Sequence, residues 1–349
     1  MHLDLTAGWF PALLGALTVV GAVGTFFLMR KSRGWQGWCA AGLTAVLAVA
    51  TGAALVNSHY GYYRSLSDIV GDDGGGGFPD GNGGGPHPLG GVVLTTIPGT
   101  ESGVGSYPAM VYLPPQHWSE PKRAFPVVYL IHGTPGAPDN IFEAGQAAAG
   151  GLAAAVAGNP VIIVAPTAGP DSGSDTECVD GAQGNWETYL TQDVVAAVDK
   201  TYRTIAARED RAIGGLSMGG YCGLNLGLRH RDTYSTIIDL SGETRPTYDD
   251  GMRALFGNVP NLDAVVADNS PRTYAARLSS SPPMRLWLDC GTSDAEVLQP
   301  LLGIAGTLRS RGFDVMVKER SGGHSWSVWR AAMAQTVPWA AARMPQDGR

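Results

Sequence analysis

Two long stretches near the start of the chain carry no charged side chain, and they constrain the fold more than anything after them. Gly8 to Met29 is 22 residues long and Trp38 to Val56 is 19. About 20 consecutive apolar residues span a bilayer as a helix. A water-soluble fold rarely holds two such stretches side by side. They predict a transmembrane hairpin over residues 1–64, with spans at about 8–29 and 38–56. A cleaved signal peptide fits less well, because Met1-His2-Leu3-Asp4 lacks the cationic start such a peptide needs. Arg30, Lys31 and Arg33 lie between the spans. By the positive-inside rule that loop is cytoplasmic, so both chain ends face outward. Trp9, Trp35, Trp38, Tyr60, Tyr62 and Tyr63 stand at the span edges, where aromatic rings collect. Neither span contains an ionisable acid or base, so anchoring is expected rather than an ion or proton path.

A linker follows. Eleven of the 21 residues from Gly71 to Gly91 are glycine, with Pro79, Pro86 and Pro88 among them. Such a segment cannot bury enough apolar surface to order itself, which predicts a flexible tether over residues 65–90. Residues 91–349 then make one globular domain of ordinary size. The chain carries 24 Lys and Arg against 31 Asp and Glu, a net charge of −7. No basic run exceeds Arg30–Arg33, so a nucleic-acid partner is not expected. Four cysteines without a Cys-x-x-Cys exclude a metal ribbon or thioredoxin-type site. No metal cluster or nucleotide loop is legible, and no cofactor or obligate protein partner is expected.

Within the domain, short β-type runs alternate with helical stretches. Strands are expected near Val92–Ile97, Ala109–Leu113, Val127–Ile131, Val161–Ala165, Ala212–Gly214, Thr236–Leu240, Arg285–Cys290 and Val315–Glu319. Helices are expected near Ile141–Ala157, Thr191–Tyr202, Met218–His230, Leu262–Leu278, Ala295–Arg311 and Ser325–Arg343. The alternation implies an α/β class: a mostly parallel sheet with helices on both faces.

One Gly-x-Ser-x-Gly, Gly215-Leu216-Ser217-Met218-Gly219, falls between a β-run and a helical run. A serine on a sharp strand-to-helix turn stands clear of the sheet, and bulky neighbours would clash there. The turn also presents the next backbone N–H, that of Met218, to a developing oxyanion, with the helix dipole behind it. Ser217 is therefore the candidate nucleophile.

A serine hydroxyl needs a base, and in this strand–turn–helix context the order along the chain is Ser, acid, His. Only His230 and His324 follow Ser217. His230 ends the helix after the turn and points away. His324 lies in a loop between the last strand and the last helix and is the expected base. The acid is expected after the strand before it. Asp294, in Thr292-Ser293-Asp294-Ala295-Glu296, is preferred, with Glu296 as the competitor, while Asp289 on the strand reads as structural. A second oxyanion donor is expected from the loop after an early strand: the N–H of Thr134, held by Gly133. His132 beside it is either a wall of the substrate site or a structural turn residue. Cys178, in a long loop, and Cys222, just past Ser217, are expected to pair as a disulfide; Cys290 reads as a buried thiol.

Three motifs carry a resemblance. Trp186-Glu187-Thr188-Tyr189-Leu190-Thr191, Gly215-Leu216-Ser217-Met218 and Gly323-His324-Ser325-Trp326 with Trp329 make residues 91–343 resemble the α/β-hydrolase esterases of the esterase D group. Within that group the chain is similar to the secreted mycolyltransferases and their actinobacterial relatives. The resemblance implies an α/β-hydrolase fold for residues 91–343 and acyl transfer through an acyl-serine to a sugar hydroxyl or water; the two N-terminal spans are absent from the secreted mycolyltransferases. Ser217 would be the nucleophile, His324 the base, and Met218 and Thr134 the oxyanion donors. The chain departs from the mycolyltransferases at His132-Gly133-Thr134-Pro135, where they carry Asp-Gly-Leu-Arg, two of whose side chains hold trehalose. His-Gly is what the ordinary esterases of the group have. A bland reading of the first motif has Trp186 in the core and Thr191 capping a helix.

The expectation is a membrane-anchored extracytoplasmic serine esterase or acyltransferase acting on a lipid or cell-envelope sugar ester. The alternatives are a mycolyltransferase proper and a non-catalytic envelope-binding protein on a hydrolase fold.

Overall fold

The computed structural model describes Leu5 and residues 7–31, 34–60, 90–146 and 151–345. The stretch expected to be a linker, up to residue 89, lies outside the described residues. Tyr62, Tyr63 and Arg33 lie outside them too. The rest forms two compact units, an N-terminal helical one and a larger α/β one.

The helical unit is a hairpin of α1 (Trp9–Lys31) and α2 (Trp35–Tyr60). Both are long and apolar enough to cross a membrane, and their most apolar windows are 0% and 6% buried. A core hairpin of a soluble protein would bury those faces. Large side chains point outward instead, Val20, Phe27 and Val49 among them. What meets between the helices is small or hydroxylic. Thr18 and Thr51 share a hydrogen bond of 2.9 Å, and Thr25 and Thr44 one of 3.1 Å. Helices in lipid associate through such contacts, because burying more apolar surface there gains nothing.

The α/β unit is built on an eight-stranded sheet. Its strands are β1 (Gly91–Pro98), β2 (Ser106–Leu113), β3 (Val127–Ile131), β4 (Ile162–Pro166), β7 (Arg211–Leu216), β8 (Thr236–Leu240), β9 (Arg285–Gly291) and β10 (Asp314–Arg320). β5 (Asp180–Gly181) and β6 (Gly184–Asn185) form a separate small hairpin. The sheet order is β1-β2-β4-β3-β7-β8-β9-β10. β2 runs antiparallel to both its neighbours, and every pair from β4 to β10 is parallel. Every residue of β3, β4, β7 and β8 is buried, which is why these strands read as unbroken apolar runs. β1, at the edge, alternates half-buried and exposed positions over its middle. Crossovers run out from β3 in both directions, and in their usual right-handed sense they put helices on opposite faces of the sheet.

The principal helices are α3 (Pro138–Gln146), α4 (Val194–Thr201), α5 (Met218–Arg229), α6 (Leu262–Asp268), α7 (Ala295–Ser310) and α8 (Trp326–Ala341). Two expected helices are broken. The one expected over Leu262–Leu278 stops at Asp268, and short turns over Pro271–Tyr274 and Ala275–Arg277 replace its second half. Pro271 has no N–H to continue the ladder and keeps Ser270 out of the helical region. The one expected over Ile141–Ala157 is split between α3 and a turn at Gly151–Ala155. The helix expected from Thr191 instead begins at Trp186 and passes through a wide turn at Tyr189–Asp193 before α4. Thr191 is thus no cap. Its hydroxyl donates to the Glu187 carbonyl four residues back, at 2.7 Å. Trp186 is in the core, 1% exposed.

Candidate active site

Ser217 sits between β7 and α5 with φ 55° and ψ −124°, the left-handed side of backbone space. A non-glycine residue held there stores roughly 1–3 kcal/mol, so the surroundings must pin it. Its N–H donates to the Leu240 carbonyl of β8 at 2.9 Å. Its carbonyl accepts from Gly220 and Tyr221 and so starts α5. The two glycines of the motif are steric requirements: a Cβ on Gly215 or Gly219 would run into the Ile131 carbonyl oxygen at the end of β3.

Ser217 Oγ lies 2.8 Å from Nε2 of His324, and Nδ1 of the same ring lies 2.7 Å from Oδ2 of Asp294. The imidazole is also held edge-on to the Trp329 ring, with centroids 4.9 Å apart and planes at 89°. Of the two carboxylates weighed for this place, Asp294 makes the contact. Glu296 is exposed on the first turn of α7 and lines the neighbouring cavity.

Three residues from three strand ends meet because the loops after β9 and β10 are stitched together. Thr292 N–H donates to the Arg320 carbonyl at 2.7 Å and Ser293 N–H to the Gly322 carbonyl at 2.8 Å. Beneath them Arg320 grips the fully buried Asp289 in a fork, Nε to Oδ1 at 2.7 Å and Nη2 to Oδ2 at 2.8 Å. The Trp287 indole N–H adds a third bond to that carboxylate. Burial pushes the Asp289 carboxyl up, and Arg320 pulls against it. Asp289 is structural, as its place on β9 suggests.

Met218 is the first residue of α5, so its N–H belongs to the helix's unsatisfied first turn. Gly133, after β3, packs against Ser217, and Thr134 follows it with its hydroxyl 2.9 Å from the Met218 sulfur. The two candidate oxyanion donors therefore flank the serine. His132 departs from the substrate-wall reading. It is 3% exposed, its Nε2 accepts the Ala168 N–H at 3.2 Å, and its Nδ1 is 2.8 Å from the Gly133 carbonyl. Both nitrogens are spent on backbone, which leaves neither for a ligand. Burial lowers its pKa, against the opposing bond to Gly133. The neutral ring holds the loop that carries Thr134.

Cys178 and Cys222 are joined by a disulfide with Cα atoms 5.7 Å apart, fully buried behind the serine turn. Cys290 is a buried free thiol and Cys39 is free on α2. His230, at the end of α5, bonds Glu187 at 2.8 Å. Glu187 also pairs with Arg229, so the Trp186–Thr191 motif braces the base of α5.

A cavity of about 420 Å³ opens beside His324 and Asp294. Its remaining lining comes from the loop after β8 (Glu243, Thr244, Arg245, Thr247), from Arg272, and from the start of α7. Burial pushes the Glu243 carboxyl above its usual range, and Asp294 adds to that against the pull of His324 and Arg245. Sequence reasoning missed Glu243, Arg245 and Arg272. Glu243 and Arg245 sit in a loop without periodicity and Arg272 on a short turn where a longer helix was expected, and only the β8-to-β9 neighbourhood brings them to the site. No group of three or more His, Cys, Asp or Glu placed to hold a metal ion occurs among the described residues.

A family model described as Esterase matches residues 102–340. The chain belongs to the esterase family. An uncharacterized protein of Corynebacterium glutamicum is 30% identical over 73% of this chain and 62% of its own length. An esterase of Mycobacterium tuberculosis is 28% identical over 55% of this chain and 44% of its own. The chain thus spans roughly half the length of these curated relatives. Among solved structures, a ferulic acid esterase is 26% identical with a TM-score of 0.61, covering 72% of this chain and 98% of that one. Mycobacterium tuberculosis MPT51 (FbpC1), at 18% identity and TM-score 0.56 over 72% of this chain and 97% of that one, shares the fold. The fold of this esterase-family chain is the α/β-hydrolase fold.

Proposed function

We propose that this chain is a membrane-anchored, extracytoplasmic serine esterase or acyltransferase. The observation that carries the reading is the continuous hydrogen-bonded chain Ser217–His324–Asp294 at 2.8 and 2.7 Å, at the carboxyl ends of β7, β9 and β10. His324 takes the proton of Ser217 as Oγ attacks the carbonyl carbon of an ester. Asp294 orients the ring and stabilises the imidazolium. The N–H groups of Met218 and Thr134 hold the oxyanion. His324 then protonates the departing alcohol oxygen as the carbon–oxygen bond breaks, leaving an acyl-serine. Water or an acceptor hydroxyl, deprotonated by the same ring, attacks the acyl-serine and frees Ser217. Hydrolase and transferase share every step but the last acceptor. A lipid or cell-envelope sugar ester suits a domain kept at a membrane surface.

The location rests on separate support. Residues 1–64 form the anchor, 65–90 the tether and 91–349 the catalytic domain. Arg30, Lys31 and Arg33 between the spans keep that loop in the cytoplasm and put the domain outside. The buried Cys178–Cys222 bridge suits an oxidising compartment.

Fluorophosphonate labelling of the detergent-solubilised full chain tests the mechanism. Wild type labels, Ser217→Ala does not, and His324→Ala labels at least about a hundredfold more slowly. A folded wild-type chain that does not label overturns the reading in favour of a non-catalytic envelope-binding protein.

A further inference from the structure

The cavity beside His324 opens on one side of the candidate site. His324 and Asp294 line it; Ser217, Met218 and Thr134 do not. In an acyl-serine mechanism the serine and the oxyanion donors hold the acyl carbonyl. The histidine deals with the other half, protonating the departing oxygen and deprotonating the incoming one. A cavity walled by the histidine and not by the oxyanion donors therefore receives the alcohol half of the ester.

Two guanidiniums line that cavity, Arg245 from the loop after β8 and Arg272 from the turn that replaces the end of the expected helix. Burial makes Arg272 give up its proton more readily, and the charge of Arg245 adds to that. None of the ion pairs among the described residues uses either one. Three carboxylates share the cavity. Asp294 is bonded to His324, and burial pushes the Glu243 carboxyl up against the pull of His324 and Arg245. Glu296 stands exposed on the first turn of α7 and takes part in no ion pair among the described residues. Both arginine side chains are exposed, so an anion entering the cavity can reach them, and a guanidinium fork matches a carboxylate or phosphate in shape.

We propose that this cavity is an anion subsite in which Arg245 and Arg272 bind a phosphate or carboxylate carried on the alcohol portion of the ester. The proposal rests on the esterase reading above and narrows its substrate class to esters of anionic alcohols.

The test uses the full chain in detergent and four esters. para-Acetoxybenzoate and para-acetoxyphenyl phosphate carry the charge on the alcohol half. Methyl para-acetoxybenzoate is the neutral match, and monophenyl succinate carries the charge on the acyl half. Each kcat/KM is divided by the ester's own rate with hydroxide. The better of the two alcohol-side anions is expected to exceed the neutral ester by roughly tenfold or more, and its identity tells phosphate from carboxylate. In the double variant Arg245→Gln, Arg272→Gln that ratio falls to near one, and the corresponding Lys variants restore part of it. Because the readout is a ratio on one protein preparation, partial misfolding does not imitate it. A wild-type ratio near one, a ratio unchanged in the double variant, or a preference for monophenyl succinate overturns the subsite and leaves the esterase reading standing. Failure to turn over even the neutral ester, with no fluorophosphonate labelling, overturns both.

Discussion

The helical hairpin and the α/β domain put their apolar side chains in opposite places. In α1 and α2, Val20, Phe27 and Val49 face outward at 69%, 63% and 74% exposure, and threonines meet inside. In the domain, Leu130 and Ile213 are each 1% exposed, and buried carboxylates such as Asp289 and Asp239 are hydrogen-bonded. The two arrangements come from one chain under one rule: apolar surface goes where water is not. For the domain that place is its own core. For the hairpin, on the membrane-anchored reading proposed above, it is a bilayer, the surrounding in which its exposed valines and phenylalanines gain rather than lose. The difference also sets where polar groups are expensive, and that is where the contrast can be broken.

The largest effect is expected at Arg320. It and the fully buried Asp289 form an ion pair, and removing one partner strands the other charge, at a cost of about 3–5 kcal/mol. Arg320→Met should lower the denaturation midpoint of the full chain in detergent steeply. It should also slow fluorophosphonate labelling, because the loops carrying Asp294 and His324 sit on this pair. The double change Asp289→Leu with Arg320→Met should recover most of the stability, since a well-packed apolar pair replaces a buried ionic one at little net cost. If the single variant unfolds like wild type, the domain does not depend on its buried charges in the way drawn here.

A somewhat smaller effect is expected in the hairpin. A lysine near the middle of a membrane span costs about 2.5–3.5 kcal/mol of insertion free energy. Val49, near the middle of α2, faces outward, so Val49→Lys places a charge where lipid would be. Alkaline carbonate extraction should release the variant from membranes while wild type stays. A variant retained as firmly as wild type breaks the membrane side of the comparison, because on a water-facing helix the same change is nearly free.

What the sequence told in advance follows the same division. The central strands were legible because burial on both faces writes an unbroken apolar run, as in Val127–Ile131. Ser217, Asp294 and His324 were legible because this fold fixes their order along the chain and the strand ends that carry them. The geometry also separates Asp294 from Glu296, two residues apart, which spacing alone left open. The end of α6 was written in Pro271 and passed over by the helical reading. Other features were out of reach because they depend on register. Arg320 meets Asp289 only once β10 lies beside β9, and Arg245 and Arg272 meet at a cavity from a loop with no pattern of its own and a short turn where a longer helix was expected. His132 looked like a site residue from its neighbours in the chain, and only its two backbone bonds show that it faces inward.

The smallest effect sharpens the domain's half of the contrast, and its sign is fixed by linkage. The chain from Gly8 to Met29 carries no carboxylate at all, whereas the long loop before the small β5–β6 hairpin partly buries one at Asp175. Burial pushes the Asp175 carboxyl from its ordinary 3.8 up to about 6, with Glu243 and Asp249 adding to it and a bond from the Glu177 backbone opposing. A raised acid binds its proton more tightly when folded than when unfolded. Its contribution to stability is therefore fully present below about pH 4 and is lost as the pH rises through about 6. Asp175→Asn keeps the shape and abolishes the titration. Because the group retains solvent contact, the gain expected above pH 6 is discounted to about 1 kcal/mol. Thermal unfolding of both proteins at pH 8 and pH 4.5 should show the variant more stable at the higher pH, with most of that gain gone at the lower. A gain that is larger at pH 4.5 has the wrong sign for a buried acid, and would mean that the loop around Asp175 stands open to water.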